Sequence, residues 1–191
     1  TTLYSTVQLI EVKHPEVKEF AHWSNLTYDI EFMNHLLDEM SDFTKSERLQ
    51  PENFDFRLFL ETLTLAFAAS IEQSNVEYIS KLEPSIHQIT GDKTKLQEVF
   101  WNLLKNAYEA TFPKGQISLI AQNKKDRILI QIKDTGCGIP SEELSRIFEP
   151  FVTFKKNGTG LGLSICRQII ESHHGVIEVI SEAGFGSTFS I

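Results

Sequence analysis

The pattern of apolar and polar positions divides the chain into a front part with a helical repeat and a longer part with mixed periodicity. Steps of three and four residues between apolar positions indicate a helix with one buried face, and a sustained four-three alternation is typical of a coiled-coil seam. Two such stripes are present: Leu3, Val7 and Ile10, and then Leu26, Ile30, Met33, Leu37 and Met40. Proline disfavours helical geometry in the residue before it, so His14-Pro15 ends the first stripe. Residues 1–47 are therefore predicted to form a helical hairpin.

The two predicted helices of the hairpin differ in length. A helix over residues 16–45 would be roughly 45 Å long, whereas one over residues 1–13 would reach only about 20 Å. Half of the longer seam thus lacks a partner within this chain. We expect the first helix to begin upstream of Thr1, and a second copy of the chain to complete a dimeric four-helix bundle.

The longer part follows a polar segment, residues 48–56, which is predicted as a linker. The apolar pattern then predicts helices over 58–73, 93–111 and 160–173, the second with Asp92 as its N-cap and the third ended by Gly175. Predicted strands occupy 76–80, 86–90, 116–122, 127–133, 176–181 and 187–191, and the third and fourth form a hairpin. This mixture predicts an α+β sandwich over residues 57–191, with a mixed sheet and helices on one face.

Composition and charge narrow the classes of function. Against 26 Asp and Glu there are only 18 Lys and Arg, and the net charge of -8 disfavours nucleic-acid binding. The two cysteines, Cys137 and Cys166, form no CxxC or Cys/His cluster, so we expect no disulfide and no zinc site. No apolar run is long enough to span a membrane. We expect a cytoplasmic fragment without membrane contact, and the anchoring of a longer protein stays open.

The helix predicted over 93–111 carries a polar stripe. In E-V-F-W-N-L-L-K-N-A, Glu98, Asn102 and Asn106 are four residues apart and share one face. Asparagine is a poor helix former, so two asparagines at this spacing favour a binding role over a stabilising one. Carboxylate and amide oxygens are the ligands that Mg²⁺ takes when phosphates supply the rest.

Two glycine runs follow this helix. The first, D-T-G-C-G-I-P, begins at Asp134, and the second, G-T-G-L-G-L, occupies residues 158–163. Glycines that lead into a helix leave backbone N–H groups and the positive end of the helix dipole free to bind phosphate. Between the runs lies F-E-P-F, residues 148–151, in a stretch long enough for a movable lid.

The polar stripe, the first glycine run, F-E-P-F and the second glycine run follow one another along the chain in an order that resembles one family. From the linker to Ile191 the chain is similar to the ATP-binding catalytic domain of bacterial two-component sensor histidine kinases, a GHKL-type (Bergerat) fold shared with gyrase, Hsp90 and MutL-type ATPases. The resemblance implies ATP and Mg²⁺ as ligands. It also implies transfer of the γ-phosphoryl group to a histidine, for relay to an aspartate of a response-regulator receiver domain.

The resemblance assigns roles residue by residue. Asn106 would be the direct metal ligand, with Asn102 beside it at the Mg²⁺ and the phosphates. Glu98 matches the water-activating base of the hydrolysing relatives. Asp134 would accept a hydrogen bond from the adenine amino group, supported by Thr188. Backbone positions expected beside the base and the phosphates are Gly136, Gly138, Gly158, Gly160, Leu161 and Gly162.

The segment between the glycine runs resembles a short lid. It reads P-F-V-T-F-K, where related lids read P-F-x-T-T-K, so Phe154 replaces a threonine and Lys155 keeps the basic position. The resemblance implies that Lys155 binds ATP and neutralises the γ-phosphate charge during transfer.

The front part resembles the dimerisation and phosphoacceptor hairpin of the same family. Acceptor histidines of this family are followed by an acid, and none of the six histidines here is. We therefore expect the acceptor upstream of Thr1, and expect this fragment not to phosphorylate itself. Two alternatives stay open. One is an ATPase or serine kinase on the same fold, with Glu98 activating water or a hydroxyl, and the other is a non-catalytic partner-binding domain.

Overall fold

The computed structural model describes residues 2–30, 33–34, 37, 49–155 and 158–191, apart from the side chains of residues 2–4. The chain divides into two compact units, Thr1–Lys45 and Ser46–Ile191. The predicted boundaries at 1–47, 48–56 and 57–191 stay a prediction, and one part of them differs from the structure. Glu52–Asp55, inside the segment predicted as a linker, forms a strand.

The first unit is helical. Helix α1 spans Thr2–Lys13, a 3₁₀ helix spans Pro15–Glu19, and residues 23–30, 33–34 and 37 are helical again, as α2. The predicted start of the second helix at residue 16 is therefore wrong. Phe20 has extended backbone and His22 has a φ of 71°, so the helical hydrogen-bond ladder cannot continue through them. Residues 38–45 of the predicted helix lie outside the described residues.

The predicted seam of α2 is only partly covered. Ile30 is buried together with Val7 and Val17, whereas Leu26, Met33 and Leu37 are 47%, 50% and 62% exposed. Met40 lies outside the described residues. The bundle with a second copy stays a prediction.

The second unit has four helices and seven strands in its described part. Its helices are α3 (Phe56–Ser70), α4 (Lys93–Thr111), α5 (Ser141–Leu144) and α6 (Gly162–Ser172). Its strands are β1 (Glu52–Asp55), β2 (Asn75–Leu82), β3 (Gln88–Gly91), β4 (Lys114–Lys124), β5 (Arg127–Asp134), β6 (Glu178–Glu182) and β7 (Gly186–Ser190). The predicted elements are confirmed with shifts of a few residues at their ends, while β1 and α5 were not predicted.

The strands form a mixed five-stranded sheet and a separate pair. The order of the larger sheet is β2-β4-β5-β7-β6, in which β2 runs parallel to β4 and the other neighbours are antiparallel. The predicted hairpin is β4–β5, closed where Lys124 pairs with Arg127. Strand β1 pairs with β3. The predicted α+β class and mixed sheet are thus confirmed.

Helix α4 lies at the centre of the unit because its apolar side packs on β4, β5 and β7 and also on α6. Its start is set by Asp92, whose side chain accepts a hydrogen bond from the Lys95 N–H at 3.0 Å, as predicted. The buried side of the helix consists of Leu96, Val99, Phe100, Leu103, Leu104 and Ala107. The polar stripe is consequently turned away from the sheet.

Helix α6 ends one residue earlier than predicted. His174, with φ of 60°, takes the left-handed position after the helix, and the Gly175 N–H donates to the Ile170 carbonyl at 2.9 Å. The His174 N–H donates to Glu171, which completes a Schellman motif. Histidine therefore occupies the position usually filled by glycine.

Candidate functional site

The polar stripe of α4 faces the first turn of α6. A β-carbon built on Gly162, the first residue of α6, would lie 2.8 Å from Asn102 Oδ1. This approach is closer than unstrained contacts allow, so a side chain at position 162 would push the Asn102 amide aside. Asn102 is thereby held beside the N-terminal N–H groups of α6, which attract anions.

One turn further along α4, Asn106 contacts the segment that follows F-E-P-F. The Lys155 ammonium lies 2.6 Å from Asn106 Oδ1 and 2.6 Å from Glu109 Oε2. Glu109 and Asn106 are three residues apart and share a helix face. The structure thus brings Lys155 to the predicted metal ligand and adds an acid that sequence reasoning missed, although the i, i+3 spacing from Asn106 was a usable signal.

Glu98, the predicted catalytic base, is paired with Lys95. Its Oε2 lies 2.9 Å from the Lys95 ammonium, and both side chains are mostly covered. Next to Glu98 along α4, the Val99 carbonyl accepts from the buried Cys166 thiol at 3.8 Å. Burial, and then the charge of Glu98, raise the pKa of Cys166 well above its ordinary value. Cys166 is therefore a neutral core residue.

Asp134 ends strand β5 as a buried carboxylate, only 2% exposed. Its Oδ1 accepts hydrogen bonds from the N–H groups of Gly136 at 2.8 Å and Ser187 at 3.3 Å. Burial raises the pKa of Asp134 above its ordinary value, and these two donors oppose the rise only in part. A buried acceptor of this kind favours a ligand that brings a hydrogen-bond donor.

The register of β5 and β7 bears on the predicted support of Asp134 by Thr188. Thr188 pairs with Lys133 in the register of β5 and β7, and successive strand residues point to opposite faces, so Thr188 lies on the face away from Asp134. Ser187 takes the expected position instead. Its hydroxyl lies 2.9 Å from Ser181 Oγ, which accepts the Ile139 N–H at 2.8 Å. Strand alternation in G-S-T-F was the available signal.

The first glycine run packs on the end of α4 and on the β6–β7 turn. A β-carbon on Gly136 would overlap the Ala110 backbone, and the Cys137 N–H donates to the Ala110 carbonyl at 3.1 Å. Gly138 has a φ of 66°, and a β-carbon there would overlap the Glu182 carbonyl, so a side chain is excluded there too. Asp134 is thus joined to the same helix that carries Asn102. Along α4, Asn102 and Ala110 are separated by about 12 Å.

The second glycine run connects the lid segment to α6. The Gly160 carbonyl accepts a hydrogen bond from the Phe151 N–H at 2.9 Å, and Gly158 lies against Thr153. Leu161 is fully buried and anchors the start of α6 in the core. Within F-E-P-F, Phe148 is a core residue under the Arg167 guanidinium, whereas Phe151 is exposed, as is Phe154 further on.

A histidine that sequence reasoning left without a site role links the two helices of the site. His173, at the end of α6, accepts the Asp92 N–H on Nε2 at 2.9 Å, and its Nδ1 lies 2.8 Å from the Ile169 carbonyl. Only the tautomer with hydrogen on Nδ1 satisfies both contacts. His173 thus couples the N-terminus of α4 to the C-terminus of α6.

The described residues were searched for clusters of metal-binding side chains and for membrane-spanning helices. Across residues 2–30, 33–34, 37, 49–155 and 158–191, no three His, Cys, Asp or Glu side chains are grouped to hold a metal ion. Asn106 and Glu109 nevertheless hold a positive group in Lys155, so their oxygens suit a cation that takes its other ligands from phosphates. Within the same ranges, no helix is long and apolar enough to cross a membrane.

Comparison with known proteins identifies relatives of this arrangement. The family model described as histidine kinase-, DNA gyrase B-, and HSP90-like ATPase matches residues 91–191. The signal transduction histidine-protein kinase AtoS of Escherichia coli (strain K12) is 31% identical, over 100% of this chain and 32% of AtoS. This chain therefore spans about a third of that relative.

Solved structures agree with the sequence comparison. The catalytic domain of histidine kinase ThkA, in a nucleotide-free form, is 30% identical with a TM-score of 0.67, and the match covers 74% of this chain and 95% of that domain. Histidine kinase ThkA in complex with response regulator protein TrrA is 26% identical with a TM-score of 0.73, over 99% of this chain and 55% of ThkA.

Proposed function

The chain belongs to the histidine kinase-, DNA gyrase B- and HSP90-like ATPase family, and from this premise we propose that it binds Mg-ATP as part of a two-component sensor histidine kinase. One observation carries the proposal. Asp134, Asn102 and the start of α6 are all tied to helix α4, with a buried acceptor at one end and an anion-attracting helix terminus at the other.

Asp134 binds the adenine end of the nucleotide. Its carboxylate is buried, and the Gly136 and Ser187 N–H groups fix its orientation. The adenine amino group is a donor that suits such an acceptor, and Gly136 and Gly138 let the loop after Asp134 pack closely on Ala110 and Glu182. A base without an amino group at that position would leave the buried carboxylate without this donor, which is the source of selectivity.

Asn102, Asn106 and Lys155 bind the phosphate end. The N-terminus of α6 lies beside Asn102 and offers backbone N–H groups to the phosphates. Asn106 and Asn102 supply amide oxygens for Mg²⁺, and Mg²⁺ when bound neutralises charge on the β- and γ-phosphates. Lys155 moves from Asn106 to the γ-phosphate, and Gly158, Gly160 and Leu161 carry the loop that positions it.

The reaction is transfer of the γ-phosphoryl group to a histidine. A ring-nitrogen lone pair forms the new N–P bond, the bond from the γ-phosphorus to the β–γ bridging oxygen breaks, and ADP leaves with that electron pair. The ring proton goes to a neighbouring base. Glu98 is on the α4 face that carries Asn102 and Asn106, and it is the base that would activate water or a hydroxyl in the ATPase or serine-kinase alternative.

Two partners belong to this proposal. A second copy of the chain covers the exposed Leu26, Met33 and Leu37 of α2, which repeat at coiled-coil spacing. A receiver domain of a response regulator accepts the phosphoryl group on an aspartate, an assignment supported by the likeness to ThkA, whose structure with TrrA was noted above. Use of ATP supports a cytoplasmic location for this catalytic unit.

The test uses the full-length protein that contains this chain. With γ-labelled ATP and Mg²⁺, the protein should acquire phosphate that is labile in acid and stable in base, as phosphohistidine is. The Asp134→Asn variant should acquire little, and a receiver domain should remove the label. Rapid phosphate release with no protein label would instead favour the ATPase alternative. Absence of ATP binding would favour the non-catalytic one.

A further inference from the structure

We propose that Asn106 and Glu109 form one cation position, which the Lys155 ammonium fills in this structure and a nucleotide-bound divalent cation takes in its place. The proposal rests on the function proposed above and adds Glu109 to the groups that face the cation. Glu109 then helps to hold the metal ion, whereas the Lys155 ammonium and the metal ion cannot occupy this position at the same time.

The contacts of Lys155 define this position. Its Nζ lies 2.6 Å from an amide oxygen of Asn106 and 2.6 Å from a carboxylate oxygen of Glu109. The ammonium stands in for a cation held between two hard oxygen atoms. Mg²⁺ binds such oxygens at about 2.0–2.1 Å and usually keeps several waters, so direct or water-mediated contacts both fit this pair.

Glu109 supplies the charge that the position otherwise lacks. Asn106 is neutral, and Glu98, the acid of the polar stripe, is paired with Lys95. Glu98 and Glu109 are also separated by about 16 Å along α4, too far to share an ion. Protein sites for nucleotide-bound Mg²⁺ typically use one or two carboxylates with the phosphates. Glu109 is the acid placed to serve here.

The Lys155 contact is weak enough to exchange. The Lys155 and Glu109 side chains are 48% and 41% exposed, and ion pairs of this exposure contribute little because water and salt screen them. A divalent cation that arrives with phosphates brings a larger charge to the same oxygens. Lys155 is then released, and its ammonium is free for the γ-phosphate. Metal binding and Lys155 release are thereby one step.

The experiment measures ADP binding, because ADP lacks the γ-phosphate and so removes the other proposed contact of Lys155. Dissociation constants are determined by calorimetry with this chain, once with excess Mg²⁺ and once with a chelator. In Mg²⁺, Glu109→Gln should weaken ADP binding about five- to twentyfold, the effect of removing one charge near a bound cation. Lys155→Met should tighten it about two- to fivefold, the worth of a partly exposed ion pair.

The measurement with a chelator shows which part of each effect depends on the metal ion. Without a cation, loss of the negative Glu109 should leave ADP binding unchanged or tighter, because the phosphates no longer face a like charge. Glu109→Asp, which keeps the charge, should restore part of the Mg²⁺ effect. Matched controls are Glu52→Gln and Lys114→Met, exposed residues of β1 and β4. Both should bind ADP as the unchanged chain does.

The outcomes separate this proposal from the proposed function. If Glu109→Gln binds Mg-ADP as tightly as the unchanged chain, or more tightly, Glu109 only anchors Lys155 and the shared position is refuted. An equal loss with and without Mg²⁺ refutes it as well. If the unchanged chain binds no ADP under either condition, the proposed function itself fails, and this proposal fails with it.

Discussion

Gly162 at the start of α6 lies so close to Asn102 of α4 that a β-carbon at position 162 would be 2.8 Å from the Asn102 Oδ1. Two segments far apart in the chain are thereby fixed against each other. At the other end of the same two helices, His173 accepts the Asp92 N–H. The geometry of the proposed phosphate site therefore depends on how α6 is placed on α4.

Gly162→Ala should weaken binding without unfolding the protein. Gly162 is the first residue of α6, and the added methyl group meets only the end of the Asn102 side chain, which can shift, so the melting temperature should change little. The new methyl group displaces Asn102, and loss of a hydrogen bond to a charged ligand should raise the Kd for Mg-ATP about ten- to a hundredfold. Glu171→Ala, at an exposed position of the same helix, is the control. Equal affinities for both variants would show that Asn102 does not contact the nucleotide.

Asp134→Asn should change binding and stability differently. Burial raises the pKa of Asp134, so the folded state holds the proton more tightly than the unfolded state. Its contribution to the free energy of unfolding therefore falls as the pH rises from about 3.9 through the raised pKa. Asparagine removes this penalty, so at pH 7 the melting temperature should not fall. The Kd for ATP should rise about five- to 150-fold, for 1–3 kcal/mol. An unchanged Kd would refute the adenine assignment.

Ser187→Ala and Thr188→Ala test the register of β7. The Ser187 hydroxyl joins Ser181, which holds the Ile139 N–H, whereas Thr188 is on the opposite face. Loss of the Ser187 hydroxyl should weaken ATP binding about two- to tenfold, the effect of one neutral hydrogen bond. Thr188→Ala should bind within about twofold of the unchanged chain. The reverse order of effects would restore the role first predicted for Thr188.

Asp92→Ala should destabilise the second unit, and the loss should depend on pH. Although burial raises the pKa of Asp92, N–H donors from Gln50, Lys95 and Thr94 hold it below the ordinary value. Such a group stabilises the folded state above the unfolded pKa of about 3.9 and loses that effect as the pH falls through the folded pKa. Urea unfolding at pH 7 should show a loss of about 1–2 kcal/mol, typical of an N-cap.

The same comparison at low pH, below the folded pKa of Asp92, should show a smaller difference. Asp92→Asn keeps an acceptor for the Lys95 N–H and serves as the control. A loss of equal size at both pH values would mean that the charge of Asp92 does not contribute.

Much of the second unit follows from local sequence signals. The bounds of α4 were predicted as Lys93–Thr111 and are observed there, because the Asp92 cap and the apolar spacing both act within the helix. The positions of the polar stripe and of both glycine runs were likewise predicted from local sequence signals. Gly136 is an example: the Ala110 backbone lies so close that no side chain fits at that position.

Other features depend on pairing between distant segments. Strand β1 forms because it pairs with β3, and the parallel register of β2 comes from its pairing with β4. No local pattern in the sequence encodes either pairing. The face on which Thr188 lies was not predicted, because a shift of one residue in a strand turns a side chain to the opposite face. Glu109 shares a helix face with Asn106, but its contact with Lys155 joins residues 46 positions apart and could not be read from that spacing.

The most direct test of the nucleotide site is amide hydrogen exchange of this chain with and without Mg-ATP. We expect slower exchange at residues 134–139, at 158–164 and over the second half of α4, and we expect this protection to be lost in Asp134→Asn. Saturable ATP binding with no protection at these residues, or with protection only around β1 and α3, would contradict it.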